Sequence, residues 1–367
     1  MNHPSDLTFL DRQAHNAAFQ TVRSHLGEVV DFCVPVNPYY PTKEMLQRYR
    51  DQLEFILTYY PEENEPLSEI VANHVGVPAS NTVLGNGSTE LITAIDHVLI
   101  RESFITSVPT FGRWTDQSLE MGKKIHLFQR LESDGFHLDI DRLIQEIKKH
   151  KIRSLAISNP NNPTGSISLP RDLERLLELD LDVLIVDESF IEFASVERQH
   201  SMLKYISDSK NLVVLRSLGK SLGAHGIRLG FSVASNEISA KLRRFLPKWN
   251  INSIAEAILR DFPRFQPEYE LSRENVIADR QYLYSRLSQC DGIQVFPSYA
   301  NFLYVKVEAP LSGKEIRNQL IARHGCFIRE CGNKVGSSSQ FLRIAVNPRE
   351  KSDLLVNAFN EVMSDGP

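Results

Sequence analysis

From about residue 80 onward the chain is a succession of short, continuously apolar runs separated by longer stretches with helical periodicity. The runs occupy residues 104–108, 155–157, 183–186, 212–215 and 229–233, and helical patterns such as 139–150 and 170–179 lie between several of them. A strand without polar alternation has no face to give to water, so it must be covered on both sides. Intervening helices supply that cover and the crossover a parallel pair needs, and the pattern predicts a mainly parallel sheet between helices.

After Trp249 the texture changes. A long helix over 267–288 leads into strands at 293–296 and 302–307, a helix near 313–324, strands at 327–329 and 341–346, and a closing helix. This reads as a smaller α+β unit packed on the first. The opening forty or so residues, with Pro35, Pro38 and Pro41, read as an arm more than as a core element. A chain of 367 residues exceeds a comfortable single core. The expected division is therefore an N-terminal arm with part of the small domain (1–44), a large domain (45–255) and a small C-terminal domain (256–367).

Several function classes drop out. A formal charge of −5 leaves no electrostatic footprint for nucleic acid or an anionic membrane. No segment approaches the roughly 20 apolar residues that span a bilayer, and the N-terminus lacks a basic start followed by an apolar stretch. The four cysteines (Cys33, Cys290, Cys326, Cys331) are scattered and the histidines show no metal spacing, so neither disulfides nor a metal site are expected. A cytoplasmic protein is predicted. Gly219-Lys220-Ser221 suggests a phosphate loop, but Val214 stands where the first glycine must be.

Ligands of open parallel sheets bind beyond the carboxyl ends of the strands. The run at 155–157 is followed by Ser-Asn-Pro-Asn-Asn-Pro-Thr-Gly (158–165), the run at 183–186 by Asp187-Glu188, and the run at 212–215 by Arg216-Ser217-Leu218-Gly219-Lys220. Three strand ends thus supply an amide, a carboxylate, and a hydroxyl paired with an amine. Singly, each has a plainer role as a turn, a helix cap or a surface lysine. Together they suit pyridoxal phosphate. A lysine amine can hold the aldehyde as a Schiff base and later shuttle a proton. A carboxylate keeps the pyridine nitrogen protonated, and an amide can donate to the ring oxygen. Ser88 and Thr89, at the start of a helix after Gly85-Asn86-Gly87, can hold the phosphate.

With these motifs the sequence resembles the fold type I pyridoxal-phosphate enzymes of the aminotransferase class I/II superfamily, in the branch of histidinol-phosphate aminotransferase and threonine-phosphate decarboxylase. The resemblance runs from about Asp31 to the C-terminus. It implies that Lys220, in Arg216-Ser-Leu-Gly-Lys220-Ser-Leu-Gly-Ala-His-Gly-Ile-Arg228, is the Schiff-base lysine, with Ser217 and Arg228 as phosphate ligands. By the same resemblance Asp187 partners the pyridine nitrogen, Asn162 donates to the ring hydroxyl, Phe111 stacks on the ring and Phe190 lies beside it. Arg343 matches the arginine that grips a substrate carboxylate. Tyr60, in Tyr-Tyr-Pro-Glu, matches a tyrosine that reaches the phosphate of a neighbouring subunit, which implies a homodimer with shared active sites.

The chain departs from the pattern where substrate is chosen. Phe190 stands where many aminotransferases carry a tyrosine; this and Ile328-Arg329-Glu330-Cys331 resemble the decarboxylase branch. Arg329 and Arg343, fourteen residues apart, suit a dianionic substrate. Yet the His-Gly-Gly-Asn typical of that decarboxylase is missing around residues 11–16, and Asn37 in Val36-Asn37-Pro38-Tyr39-Tyr40-Pro41 follows the aminotransferase pattern as a substrate-binding position. The sequence reading places first an aminotransferase acting on a small, phosphate-bearing amino acid or amine. Its alternative is a decarboxylase of a phosphorylated or phosphonate amino acid. A non-catalytic cofactor-binding module ranks far behind, since the lysine is retained and no fused DNA-binding helix pair is present.

Overall fold

The computed structural model describes residues 19–20, 23–24, 28–195, 197–308 and 310–364. Its strands are β1 (Val30–Phe32), β2 (Thr82–Gly85), β3 (Ser103–Val108), β4 (Lys124–Gln129), β5 (Ser154–Ser158) and β6 (Val183–Asp187). They continue as β7 (Leu212–Arg216), β8 (Gly230–Ala234), β9 (Ile293–Phe296), β10 (Phe302–Val307), β11 (Cys326–Glu330) and β12 (Phe341–Ala345).

Seven strands form one sheet in the order β2-β8-β7-β6-β5-β3-β4. The five strands from β7 to β4 in that order pair in parallel. Every residue of β5, β6 and β7 is buried, as expected for strands covered on both faces. Alternate residues serve opposite cores. Leu155, Ile157, Leu184, Val186 and Val214 pack with Leu143, Ile147 and Leu173 of helices Ile140–His150 and Pro170–Leu177. Ala156, Val183, Ile185, Val213 and Leu215 pack with Leu91, Ile92 and Ile95 of helix Ser88–Leu99.

The sheet is mainly parallel, as expected, and one of the apolar runs takes the opposite direction. β8, which contains most of the 229–233 run, is antiparallel to both β7 and β2. The connection from β7 holds a four-residue helical turn, Leu218–Ser221, which is too short to carry the chain back along the sheet. β4 has no apolar run because it is an edge strand with largely solvent-facing side chains.

The second sheet has the order β1-β11-β12-β10-β9 and is antiparallel except for β1 beside β11. Helices Gln266–Leu287, Gly313–His324 and Arg349–Ser364 cover it, sharing a core with Leu303, Val305, Leu342 and Ile344. Part of segment 1–44 contributes to this unit: β1 pairs with β11, and Phe32 is fully buried in the core, a role that reading the opening residues as an arm did not give it.

Candidate active site

The carboxyl ends of β5, β6 and β7 lie side by side and deliver Asn162, Asp187, Ser217 and Lys220 to one edge of the large sheet. Just behind that edge a buried ion pair joins two of the ends. Glu188, directly after Asp187, accepts from Arg216 Nε at 3.1 Å and pairs with its Nη2 at 3.0 Å, and both side chains are buried. Ser201 Oγ and Met202 N also donate to Glu188, at 2.8 and 2.6 Å. The pair therefore sets where Asp187 and Ser217 emerge.

Lys220 sits on the helical turn Leu218–Ser221 with its Nζ 4.0 Å from the centre of the Phe190 ring and 5.9 Å from that of Phe111. Burial of this ammonium pushes its pKa down to about 8. The Asp187 carboxylate opposes the shift, while Arg343 and Arg228 add to it. A lysine so placed has a substantial neutral, nucleophilic fraction near neutral pH.

Asp187 is buried, and its two oxygens are oriented by Trp114 Nε1 at 2.8 Å and Ser189 N at 3.0 Å. Trp114 was not singled out by the sequence reading. It stands in the first turn of helix Arg113–Glu120, and its bond to Asp187 spans 73 residues, which local pattern does not show. Asn162 accepts from Arg343 Nη1 at 2.8 Å, which leaves its amide hydrogens to face the site. Arg343 also donates to Cys33 O at 2.8 Å and lies 5.3 Å from the Phe302 ring centre, with burial lowering its pKa.

A cradle for an anion lies beside these groups. Ser88 and Thr89 open helix Ser88–Leu99, whose first backbone N–H groups lack helical partners. Gly87 precedes them at φ +80°, and a Cβ there would collide with the Arg228 guanidinium, so that cation is laid against the helix start. A Cβ on Gly230 would lie 2.6 Å from Ser88 N and 2.9 Å from Arg216 O, which brings the end of β7, and Ser217 after it, to the same point.

Two predicted residues fall elsewhere. Asn37 adjoins Lys220 but is committed to the protein. Its Nδ2 donates to Ser221 O at 2.9 Å and Ser272 Oγ at 2.7 Å, and its backbone N–H bonds Lys220 O at 2.9 Å. It ties the arm to the lysine turn, and where a substrate-binding role was expected, both of its amide hydrogens are taken up by the protein. Tyr60 is 86% exposed, packs on Trp249 and does not join the cluster of its own chain. Arg329, on β11, lines a neighbouring cavity with Thr89 and Phe111. Segment 11–16 lies outside the described residues. Among the described residues no group of His, Cys, Asp and Glu is placed to hold a metal ion, and no helix is long and apolar enough to cross a membrane.

The donor set fits pyridoxal 5′-phosphate: an amine of lowered proton affinity between two aromatic rings, a buried oriented carboxylate, an amide with free hydrogens and a cationic helix start. Comparison with known proteins agrees. The sequence profile of aminotransferase class I and II matches residues 28–359. An L-serine phosphate decarboxylase of Campylobacter jejuni is 27% identical, with 96% of this chain and 94% of that one aligned. A histidinol-phosphate aminotransferase of Clostridium kluyveri is 29% identical over 88% of this chain and 89% of its own. The solved structure of a decarboxylase from Sulfurospirillum multivorans superposes with a TM-score of 0.85 at 27% identity, covering 95% of this chain and 92% of that one. On this fold, this site and this match, the chain belongs to the aminotransferase class I and II family, and it is a fold type I enzyme dependent on pyridoxal phosphate.

Proposed function

We propose that the enzyme decarboxylates a small amino acid bearing a phosphate or phosphonate group, with O-phospho-L-serine as the first candidate. The observation that carries this reading is the alignment with an L-serine phosphate decarboxylase over nearly the whole of both chains. It reverses the order expected from the sequence, where transamination came first. In the proposed reaction O-phospho-L-serine loses its carboxylate as carbon dioxide and takes up one proton at Cα, giving O-phosphoethanolamine.

Pyridoxal phosphate, when bound, supplies the electron sink for the charge left at Cα. The residues divide the remaining work. Lys220 holds the cofactor covalently through Nζ and, once displaced by substrate, carries the proton to Cα; its lowered pKa suits both tasks. Asp187, fixed by Trp114, keeps the pyridine nitrogen protonated, and Asn162 donates to the ring oxygen. Phe111 would stack on the cofactor ring and Phe190 would lie beside it, and both would keep water from the site. Ser88, Thr89, Ser217 and Arg228 hold the cofactor phosphate at the helix start. Arg343 and Arg329 bind the anionic groups of the substrate.

Tyr60 acts in a second copy of the chain, which makes the enzyme a homodimer with shared sites. The exposed Phe55, Leu57, Tyr59 and Tyr60 support this, because they form an apolar stretch that a partner would cover. Sedimentation at micromolar concentration should give twice the chain mass.

The activity test is direct. Holoenzyme given O-phospho-L-serine should release carbon dioxide and one equivalent of O-phosphoethanolamine. A parallel reaction with L-histidinol phosphate and 2-oxoglutarate tests the second reading, which the likeness to a histidinol-phosphate aminotransferase favours. Formation of glutamate there, with no carbon dioxide from the first reaction, would overturn the proposal.

A further inference from the structure

Between helix Arg113–Glu120 and the turn after β11 lies a cavity of about 480 Å³. Its walls include Thr89, Phe111, Arg113, Arg329, Asn333 and Lys334. Phe111 is the same ring that faces Lys220, so this space adjoins the reacting end of the site.

The cations on its walls are not equivalent. Arg113 is already neutralised by Glu120 at 3.1 Å. Lys334 and Arg329 have no carboxylate within ion-pairing distance among the described residues. Arg329 donates to the neutral Asn333 Oδ1 at 2.9 Å, and Lys334 Nζ donates to Thr110 O at 3.0 Å. An ammonium has three hydrogens to give, so two remain for a ligand. Lys334 is half-buried, and enclosure of its ammonium, with Arg343 and Arg329 nearby, pushes its pKa down to about 8, against the opposing influence of Cys331 and of Asp116 in the same cavity wall. Asp116 also lines the cavity but is not within ion-pairing distance of either cation, so two positive charges stand close together that an arriving anion would stabilise.

We propose that Lys334 is a specificity-determining residue whose ammonium binds the distal, doubly charged group of the substrate beside Arg329. This rests on the reading of a phosphorylated substrate given above. Thr110 O aims the ammonium, and its position next to Phe111 ties the distal group to the cofactor end of the cavity. The distal dianion then meets two cations whose ion pairs it does not have to break, since Asp116 in the same wall bridges neither, whereas a neutral hydroxyl in its place leaves both cations unanswered.

The test uses holoenzyme, as wild type, Lys334→Met and Lys334→Arg, with L-serine and O-phospho-L-serine titrated against the visible absorbance of the bound cofactor. Turnover of the phosphorylated amino acid and inhibition by inorganic phosphate are measured alongside. Losing a charge-assisted hydrogen bond should weaken O-phospho-L-serine binding about tenfold or more in Lys334→Met, with KM moving more than kcat. The preference for the phosphorylated over the plain amino acid should collapse, phosphate inhibition should weaken in step, and Lys334→Arg should restore part of both. Equal weakening for the two amino acids, or an unchanged preference, would overturn the role of Lys334. A wild type that binds O-phospho-L-serine in preference to L-serine without releasing carbon dioxide, and loses that preference in Lys334→Met, would overturn the decarboxylase reading and leave this one standing. A wild type with no preference would overturn both.

Discussion

Replacing Glu188 by Gln is a severe test of how the site is held together. The carboxylate is fully buried and accepts four donations, from Arg216 Nε and Nη2, Ser201 Oγ and Met202 N. A glutamine has one acceptor oxygen. If that oxygen stays with Arg216 and Ser201 on the Oε2 side, the new amide hydrogens point at the Met202 N–H, donor against donor. Arg216, 2% exposed, would also lose its nearer charge partner, and Glu192 Oε1, at 4.0 Å, is too distant to hydrogen-bond in its place. Breaking a buried pair in this way costs about 3–5 kcal/mol, a large share of the ~5–15 kcal/mol that separates folded from unfolded protein. Urea unfolding of holoenzyme, followed by far-ultraviolet circular dichroism and by cofactor absorbance, should show the loss in both signals, since the pair joins the segments bearing Asp187 and Ser217. The double replacement Glu188→Leu with Arg216→Met removes both charges at similar volume and should recover most of the stability. A Glu188→Gln protein within about 1 kcal/mol of wild type, or a double variant no better than the single, would refute the reasoning.

Other expectations are shorter. With its pKa near 8, Lys220 is about one-tenth neutral at pH 7 and half neutral at pH 8, so the rate at which cofactor-free protein attaches pyridoxal phosphate should rise about fivefold over that interval. It should then rise less than about twofold to pH 9, read by stopped-flow absorbance; a rise continuing undiminished to pH 10 would return the lysine to its ordinary 10.5. Because the folded pKa is depressed, the folded cofactor-free state binds fewer protons between about 8 and 10.5, and the burial penalty of this group should fade as pH climbs through that window. Phe190→Tyr places a phenol beside Lys220 and should lower the pH midpoint of the cofactor's visible absorbance, measured by titration; an unchanged midpoint would mean the hydroxyl does not reach the ring oxygen. Gly230→Ala puts a methyl 2.6 Å from Ser88 N, so the helix start must shift, at about 1–3 kcal/mol of stability, and pyridoxal phosphate should bind less tightly by equilibrium dialysis.

What could be read from the sequence follows the physics of each element. The wholly apolar strands β5, β6 and β7 announce themselves because both their faces are buried, and the residues after them inherit a position at the sheet's ligand-binding edge. That is how Asn162, Asp187 and Lys220 could be placed at that edge from the chain alone. β4 is a largely solvent-facing edge strand whose apolar residues Ile125, Leu127 and Phe128 are mixed with polar ones, and β1 has three residues; neither forms a continuous apolar run. β8 looks apolar in any direction, and its antiparallel course goes with a connection whose lack of a full crossover helix only the structure shows. Trp114 and Lys334 act through one hydrogen bond each, to Asp187 and to Thr110 O, across separations of 73 and 224 residues that local pattern cannot reveal. Asn37 failed in the opposite way: its type and motif suggested a ligand, and its hydrogen bonds show an anchor.

This separation explains why cofactor and reaction were unequally legible. The groups that suit the cofactor come from the large sheet and the elements at its edge, where a continuous apolar pattern indexes them. The cations proposed for substrate, Arg329, Arg343 and Lys334, come from β11, β12 and the turn between them in the second sheet. The two sets meet where Arg343 bonds Asn162 and Lys334 bonds Thr110 O. Decarboxylation or transamination is decided by which bond of the substrate those cations hold in the reactive orientation, a matter of angles between two sheets. Exchanges within that hairpin can therefore redirect chemistry while the strand-end motifs stay intact. A family whose members include decarboxylases and aminotransferases at nearly equal identity to this chain is what such an arrangement allows.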